Sequence, residues 1–165
     1  MTFDRLFAPF TVAGMALRNR VVMLPMSTGF IEPDETAGER FIRFYEARAE
    51  GGAGLILIPF TPMRDGGHVE PGLYDDRFVP SLRPLTDRLH AAGAAAAAQL
   101  ILSYFVILEG DTPELVGPSP VVNRLLRAAP RELTTGEIAL IVGEFGRAAR
   151  RARDGGFDAV EVLVA

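Results

Sequence analysis

The sequence predicts an α/β fold, the N-terminal half of a TIM (β/α)8 barrel, with about four parallel strands, three or four helices and an N-terminal hairpin. Three observations predict it. A unit made of an amphipathic helix, a glycine and a short apolar strand occurs three times; a further apolar strand precedes the first unit; and helical and strand patterns alternate to the end of the chain. Such alternation implies parallel pairing with right-handed crossovers, because each helix must return the chain to the same edge of the sheet.

Residues 1–19 carry Pro9, Gly14 and a short apolar alternation, and read as a hairpin lid under the barrel. Residues 20–165 hold the β/α units, in one domain with no low-complexity linker. The first strand is Val21-Val22-Met23-Leu24. The first unit is a helix over 36–50, Gly51-Gly52, then Leu55-Ile56-Leu57-Ile58. The second is a helix over 80–92, Gly93, then the alanine run 94–98 with Gln99 and Leu100. The third is a helix over 134–154, Gly155-Gly156, then Val160-Glu161-Val162. Glycine suits each helix end, where a left-handed residue turns the chain into the next strand.

Thr36 with Glu39, and Thr134 with Glu137, have the spacing of a reciprocal N-terminal cap. In the last helix Ile138, Ile141, Val142, Phe145, Ala149 and Ala152 form one apolar stripe, which leaves Arg147, Arg150, Arg151 and Arg153 as a solvated face. Residues 101–133, with Pro113, Pro118, Pro120 and Pro130, form a connection far longer than the usual ~2–6 residues, and such loops belong to the active-site face of a barrel.

Composition narrows the chemistry. With 165 residues, 48% hydrophobic and 23% charged, the chain can bury a core. There is no cysteine, and all 17 basic residues are arginine, so disulfides, thiolate catalysis, a lysine Schiff base and a P-loop are excluded from its own residues. A net charge of −4 argues against a nucleic-acid partner. The absence of a signal-like segment or a long apolar run argues against secretion and membrane insertion, so a cytoplasmic setting is expected. His68 reads as an exposed loop residue, and His90 as a structural group at a helix end. Asp75, Asp76, Asp158 and Glu161 read as caps, turns and ion pairs; no metal ligands are assigned.

Several segments carry a resemblance to a known family. Leu6-Phe7-Ala8-Pro9-Phe10 leads to Leu17-Arg18-Asn19-Arg20 and on through Val21 to Pro25-Met26-Ser27-Thr28. Tyr45-Glu46-Ala47-Arg48-Ala49, Tyr74-Asp75-Asp76-Arg77-Phe78-Val79-Pro80, Pro118-Ser119-Pro120 and Pro130-Arg131-Glu132-Leu133-Thr134 follow. Together they resemble the Old Yellow Enzyme family of NADH:flavin oxidoreductases, nearly end to end, with Met26-Ser27-Thr28 and the Tyr-Asp-Asp-Arg segment leaning toward its 2,4-dienoyl-CoA reductase branch. The resemblance implies FMN across the C-terminal ends of the strands, NAD(P)H as reductant, and hydride delivery from reduced flavin to an activated alkene. It also implies that Pro25, Met26 and Ser27 run beside the flavin and that Gln99 hydrogen-bonds its ring. Phe60 stands where the family places a small residue under the flavin, and is the fifth cofactor-contact candidate.

The departures from that family are concentrated. Leu163 occupies the position of a carbonyl-polarising histidine, and Ile101-Leu102-Ser103-Tyr104 replace a polar run after Gln99-Leu100. No catalytic residue is therefore assigned. A whole barrel takes ~250 residues and usually builds its phosphate site after strands seven and eight. Unpaired outer strands promote pairing with another chain, so the expected partner is a second copy or a complementary half-barrel. The alternative to a flavin oxidoreductase, poorly active or inactive by itself, is a non-catalytic half-barrel, natural or engineered, that self-associates through its apolar face or binds a hydrophobic ligand.

Overall fold

The computed structural model describes residues 3–66 and 69–163. The chain begins with a short helix, α1 (Asp4–Phe7), and an antiparallel hairpin of β1 (Phe10–Val12) and β2 (Met15–Leu17). Then come β3 (Val22–Met23), α2 (Glu39–Glu50), β4 (Leu55–Phe60), α3 (Val79–Ala91) and β5 (Ala95–Leu100). The long connection contains β6 (Phe105–Val106), β7 (Glu114–Gly117) and β8 (Arg131–Glu132), and α4 (Thr135–Asp154) and β9 (Ala159–Val162) complete the described chain. The main sheet has the order β3-β4-β5-β9, every pairing parallel, as expected of a half-barrel.

Strand alternation sorts the residues into two faces. Ile56, Ile58 and Phe60 of β4, with Ala96, Ala98 and Leu100 of β5, join one buried cluster with Phe41, Tyr45, Leu82, Leu85 and Leu89 of the helices. The alanines are small because α3 and α4 both pack on β5. Leu57, Pro59, Ala97 and Gln99 take the other face, the barrel interior. Each fully buried leucine of α3 stabilises the fold by about 1.5–3 kcal/mol relative to exposure.

Helix ends match the sequence reading at most positions. The turns after α2, α3 and α4 place Gly52, Gly93 and Gly156 at φ +105°, +79° and +93°, the conformation that only glycine adopts without strain. Thr134 and Glu137 form both bonds of the reciprocal cap. Thr36 does not cap α2. Its backbone N–H and hydroxyl both donate to Asp34 Oδ1, at 3.1 and 2.6 Å, and the helix starts after Gly38 without a side-chain cap. The aspartate two residues upstream captures the threonine first.

The face of α4 also differs from expectation. Ile141, Ala148 and Ala152 are buried, whereas Ile138 and Val142 are 42% and 66% exposed. Arg151 is not part of a solvated face: it is 8% exposed, with Nε 2.6 Å from Asp76 Oδ1 and Nη1 donating to the Leu73 carbonyl. Asp76 supplies the counter-charge that makes this burial tolerable. The long connection is not a bare loop, since β6, β7 and β8 pair into a small sheet of their own.

At the N-terminal ends of the strands, Arg18 clamps two helices. Its Nη1 donates to the Ala92 carbonyl at 2.7 Å, and its Nη2 donates to those of Ala49 and Ala53. A cation on the C-terminal carbonyls of α2 and α3 opposes their negative dipole ends. Asn19 adds a bond from Nδ2 to the Gly52 carbonyl and accepts from the Val21 N–H. His90 and Asp158 lie 2.8 Å apart across α3 and β9, and Asp158 also accepts from the Ala96 N–H. The histidine lies in the last turn of α3, but its partner is Asp158 and not the helix end expected for it.

Candidate active site

A cleft of about 830 Å³ opens at the C-terminal ends of the main strands. Thr61, Ile101 and Leu163, the residues that follow β4, β5 and β9 on the inner face, line its floor. Ser27 closes one side, and Tyr104 and Val116 of the long connection close the other.

The loop after β3 is held in place by α2. Tyr45, completely buried, donates from its hydroxyl to the Met26 carbonyl at 3.0 Å, and burial pushes that phenol well above its ordinary range. Pro25 is half-buried, while Met26 and Ser27 are exposed. Ser27 donates to the Glu70 carboxylate, which ties this loop to the one after β4. Burial raises the Glu70 pKa; the Asp65 charge adds to the rise and the Ser27 hydrogen bond works against it.

Other side-chain bonds brace the rim. Tyr74 donates to Glu35, with its pKa pushed up to about 12 by burial first and then by that hydrogen bond. Arg64 pairs with Asp111 at 2.9 Å, and its carbonyl accepts from the Ile107 N–H. Arg131 joins Glu114 of β7 to Glu137 at the start of α4.

The structure separates the five sequence-derived candidates. Pro25, Met26 and Ser27 run along the strand-end loop, and Ser27 reaches the cleft. Gln99 lies on the inner face one row beneath the floor, 6% exposed, with Nε2 donating to Glu161 Oε1. Phe60 stands apart from them. It is completely buried on the helix side of β4, edge-on to Phe157 with ring centroids 5.4 Å apart, so it does not face the cleft. Pleating decides this: Pro59 and Thr61 take the inner face, and the residue between them must point away. His68 lies outside the described residues. Asp75 caps the turn at 76–78 by accepting from the Arg77 N–H. Among the described residues no group of three or more His, Asp or Glu is placed to hold a metal ion, and no helix is long and apolar enough to cross a membrane.

Sequence reasoning assigned no site role to Tyr45, Glu70 and Glu161. Only Glu161 left a signal: it and Gln99 are each the lone polar residue on one face of an otherwise apolar strand.

The match to known proteins decides the ancestry. Residues 5–165 match the profile of the NADH:flavin oxidoreductase / NADH oxidase family. The chain belongs to that family. It is 40% identical over 161 residues to a metal reductase of Desulforamulus reducens, covering 96% of this chain and 24% of the relative. It is 36% identical over 167 residues to an NADPH dehydrogenase of Listeria welshimeri, covering 98% and 48%. The solved structure of an Old Yellow Enzyme homologue from Zymomonas mobilis superposes with a TM-score of 0.80 at 28% identity, covering 95% of this chain and 47% of that one. The chain therefore spans half or less of the length of these relatives.

The residues of the cleft fit one part of a flavin. The apolar strand-end surface suits the faces of an isoalloxazine ring, and the Gln99 amide one row beneath it suits the pyrimidine edge. They do not fit the phosphate, because none of the residues lining the cleft is basic.

Proposed function

We propose that this chain supplies the ring-binding half of an FMN-dependent NAD(P)H oxidoreductase or ene reductase of the cytoplasm, and that a second half-barrel completes it. The carrying observation is the cleft over the strand ends, where Ser27 of the loop after β3 borders a mostly apolar floor and the Gln99–Glu161 pair lies one row beneath it. Bound FMN would supply the hydride transfer. The chain's own residues would seat the ring, with Tyr45 fixing the backbone at Met26 and the Ser27–Glu70 bond holding two loops together.

The proposed partner is a second copy or a complementary half-barrel. Support comes from the edges of the sheet. Val22 and Leu24 on the β3 side are 41% and 71% exposed, and Val160 and Val162 of β9 are 38% and 52% exposed. A neighbouring strand together with its helix would cover each set.

By itself the chain is expected to be a poor or inactive catalyst, because Leu102 and Leu163 offer no donor to polarise a substrate carbonyl. Leu163→His alone is expected to leave NAD(P)H-dependent alkene reduction undetectable; recovered turnover would refute the need for a second half. A second reading, a non-catalytic module for a hydrophobic ligand, is favoured by the lining from Leu102, Tyr104, Val116 and Leu163. Size-exclusion chromatography with mass detection and simultaneous absorbance at protein and flavin wavelengths separates the two. A dimer or complex carrying stoichiometric flavin supports the oxidoreductase; a colourless species that ignores added FMN supports the ligand module.

A further inference from the structure

The inner face of the sheet is apolar until one row below the cleft. Leu57, Ala97 and Ala159 lie in register, and the next row toward the C-terminal ends is Pro59, Gln99 and Glu161. Gln99 is the buried polar member of that row and has a different neighbour on each side. Pro59 offers its side chain neither donor nor acceptor. Glu161 offers a carboxylate, which accepts the Gln99 Nε2–H. The Gln99 carbonyl oxygen has no hydrogen-bond partner among the described residues.

This arrangement fixes which way an amide points. Carboxamide oxygen and nitrogen are nearly the same size, so an unconstrained glutamine can present either end to a ligand. An ionised carboxylate only accepts, so it bonds the NH2 end, and the bond is strengthened by its charge. The oxygen is then the end left for a ligand. A flavin pyrimidine edge displays a ring N–H flanked by two carbonyl acceptors, and an amide locked with its oxygen outward selects the N–H over the carbonyls.

We infer that Glu161 is a positioning residue for the cofactor: it locks the Gln99 side chain as an acceptor aimed at the N–H of the isoalloxazine pyrimidine edge. The inference rests on the flavin reading of the cleft and adds to it a residue that touches Gln99 rather than the ring. It assigns the charge of Glu161 a purpose on a face that is otherwise apolar. It also explains why a carboxylate, and not an amide or hydroxyl, stands beside Gln99: a group that both donates and accepts would leave the amide free to flip.

The test uses the full chain and lumiflavin, which carries the ring without the phosphate that the cleft does not serve. Glu161→Leu, Glu161→Gln, Gln99→Leu and the Glu161→Leu/Gln99→Leu double variant are titrated by flavin fluorescence, with unfolding curves on each. In the flavin-free chain, the Gln99 side-chain amide is followed by 15N NMR. Glu161→Leu is expected to weaken lumiflavin by about tenfold, the loss of one charge-assisted positioning bond, and to shift the Gln99 NH2 resonances. Glu161→Gln retains an acceptor but also donates, so it leaves the amide free to flip and is expected to recover only part of the affinity. The double variant is expected to lose no more than Gln99→Leu, because Glu161 acts only through Gln99. Additive losses, or Glu161→Leu binding as tightly as the parent while Gln99→Leu binds weakly, would overturn the positioning role and leave the flavin reading standing. A parent chain that takes up no lumiflavin, or a Gln99→Leu variant that binds it unchanged, would overturn the flavin role of Gln99 itself and this inference with it.

Discussion

The two ends of the main sheet use their polar groups differently. At the N-terminal end, side chains bond mainly to backbone, with His90–Asp158 the exception: Arg18 takes the Ala49 and Ala92 carbonyls at helix ends and the Ala53 carbonyl beyond α2, Asn19 takes the Gly52 carbonyl and the Val21 N–H, and Asp158 takes the Ala96 N–H. At the C-terminal end, side chains bond mainly to one another across loops, as in Ser27–Glu70, Tyr74–Glu35 and Arg64–Asp111, with the Tyr45 bond to the Met26 carbonyl the exception. A bond to a helix end satisfies groups that every β/α unit must satisfy, whatever its chemistry. A bond between two loop side chains depends on both residues and is easily replaced. The difference teaches that the closed end carries stability and the open end carries whatever specificity the protein has.

The sharpest way to break that comparison is to injure the closed side and look for an effect on the cleft. Leu89→Ala, a completely buried site near the end of α3, is expected to cost about 3 kcal/mol, read by urea unfolding, with lumiflavin affinity of the folded fraction unchanged. Arg18→Ala is expected to cost about 2 kcal/mol through its lost helix-end bonds; a loss of ligand affinity at unchanged stability would invert the assignment of the two ends.

The open end is expected to be cheaper to alter. Thr134→Ala removes the cap of α4 and is expected to cost about 1 kcal/mol. Its partner Glu137 is held at about 2, against an ordinary value of 4.5, by the Arg131 hydrogen bond first and by the Thr134 bonds next. A carboxylate lowered in the folded state adds stability above its unfolded pKa, and that stability is lost as pH falls from 4.5 through about 2. Thr134→Ala should flatten this part of the stability profile.

The smallest effect is expected at Glu70, where the sign reverses. Its pKa is raised above 4.5, so the folded state binds its proton more tightly than the unfolded chain does. Its contribution is most favourable below 4.5 and declines as pH rises through the raised value. Glu70→Gln is expected to remove that decline and to stabilise slightly at neutral pH; a variant less stable than its parent at pH 7 would place the value of the Ser27–Glu70 bond above the burial cost of the charge.

The half-barrel was legible because its signals are local. Helix stripes, glycines after helices and short apolar strands each lie within one segment, and the strand order follows the chain. Thr36 and Arg151 show where local reading stops. Thr36 has the spacing of a cap, but Asp34 competes for it, and Arg151 looks solvated until Asp76, 75 residues away in sequence, arrives beside it.

The candidate site divides the same way. Gln99 and the loop from Pro25 to Ser27 were found through a family pattern, which is a property of sequence. The exclusion of Phe60 from the cleft needed the pleat, because facing is set by the parity of a strand whose limits only pairing fixes.

By itself the sequence determined that four strands would pair in parallel under three helices, that glycine would end each helix, and that the chain descends from flavin oxidoreductases. Only the tertiary structure decided that Arg18 would clamp two helices, that Tyr45 would hold Met26, and that Glu161 would meet Gln99. Helix caps and apolar periods act over a few residues, so composition and spacing carry them. A hydrogen bond between strands or between loops exists only once the register of the sheet has brought distant residues within about 3 Å of each other.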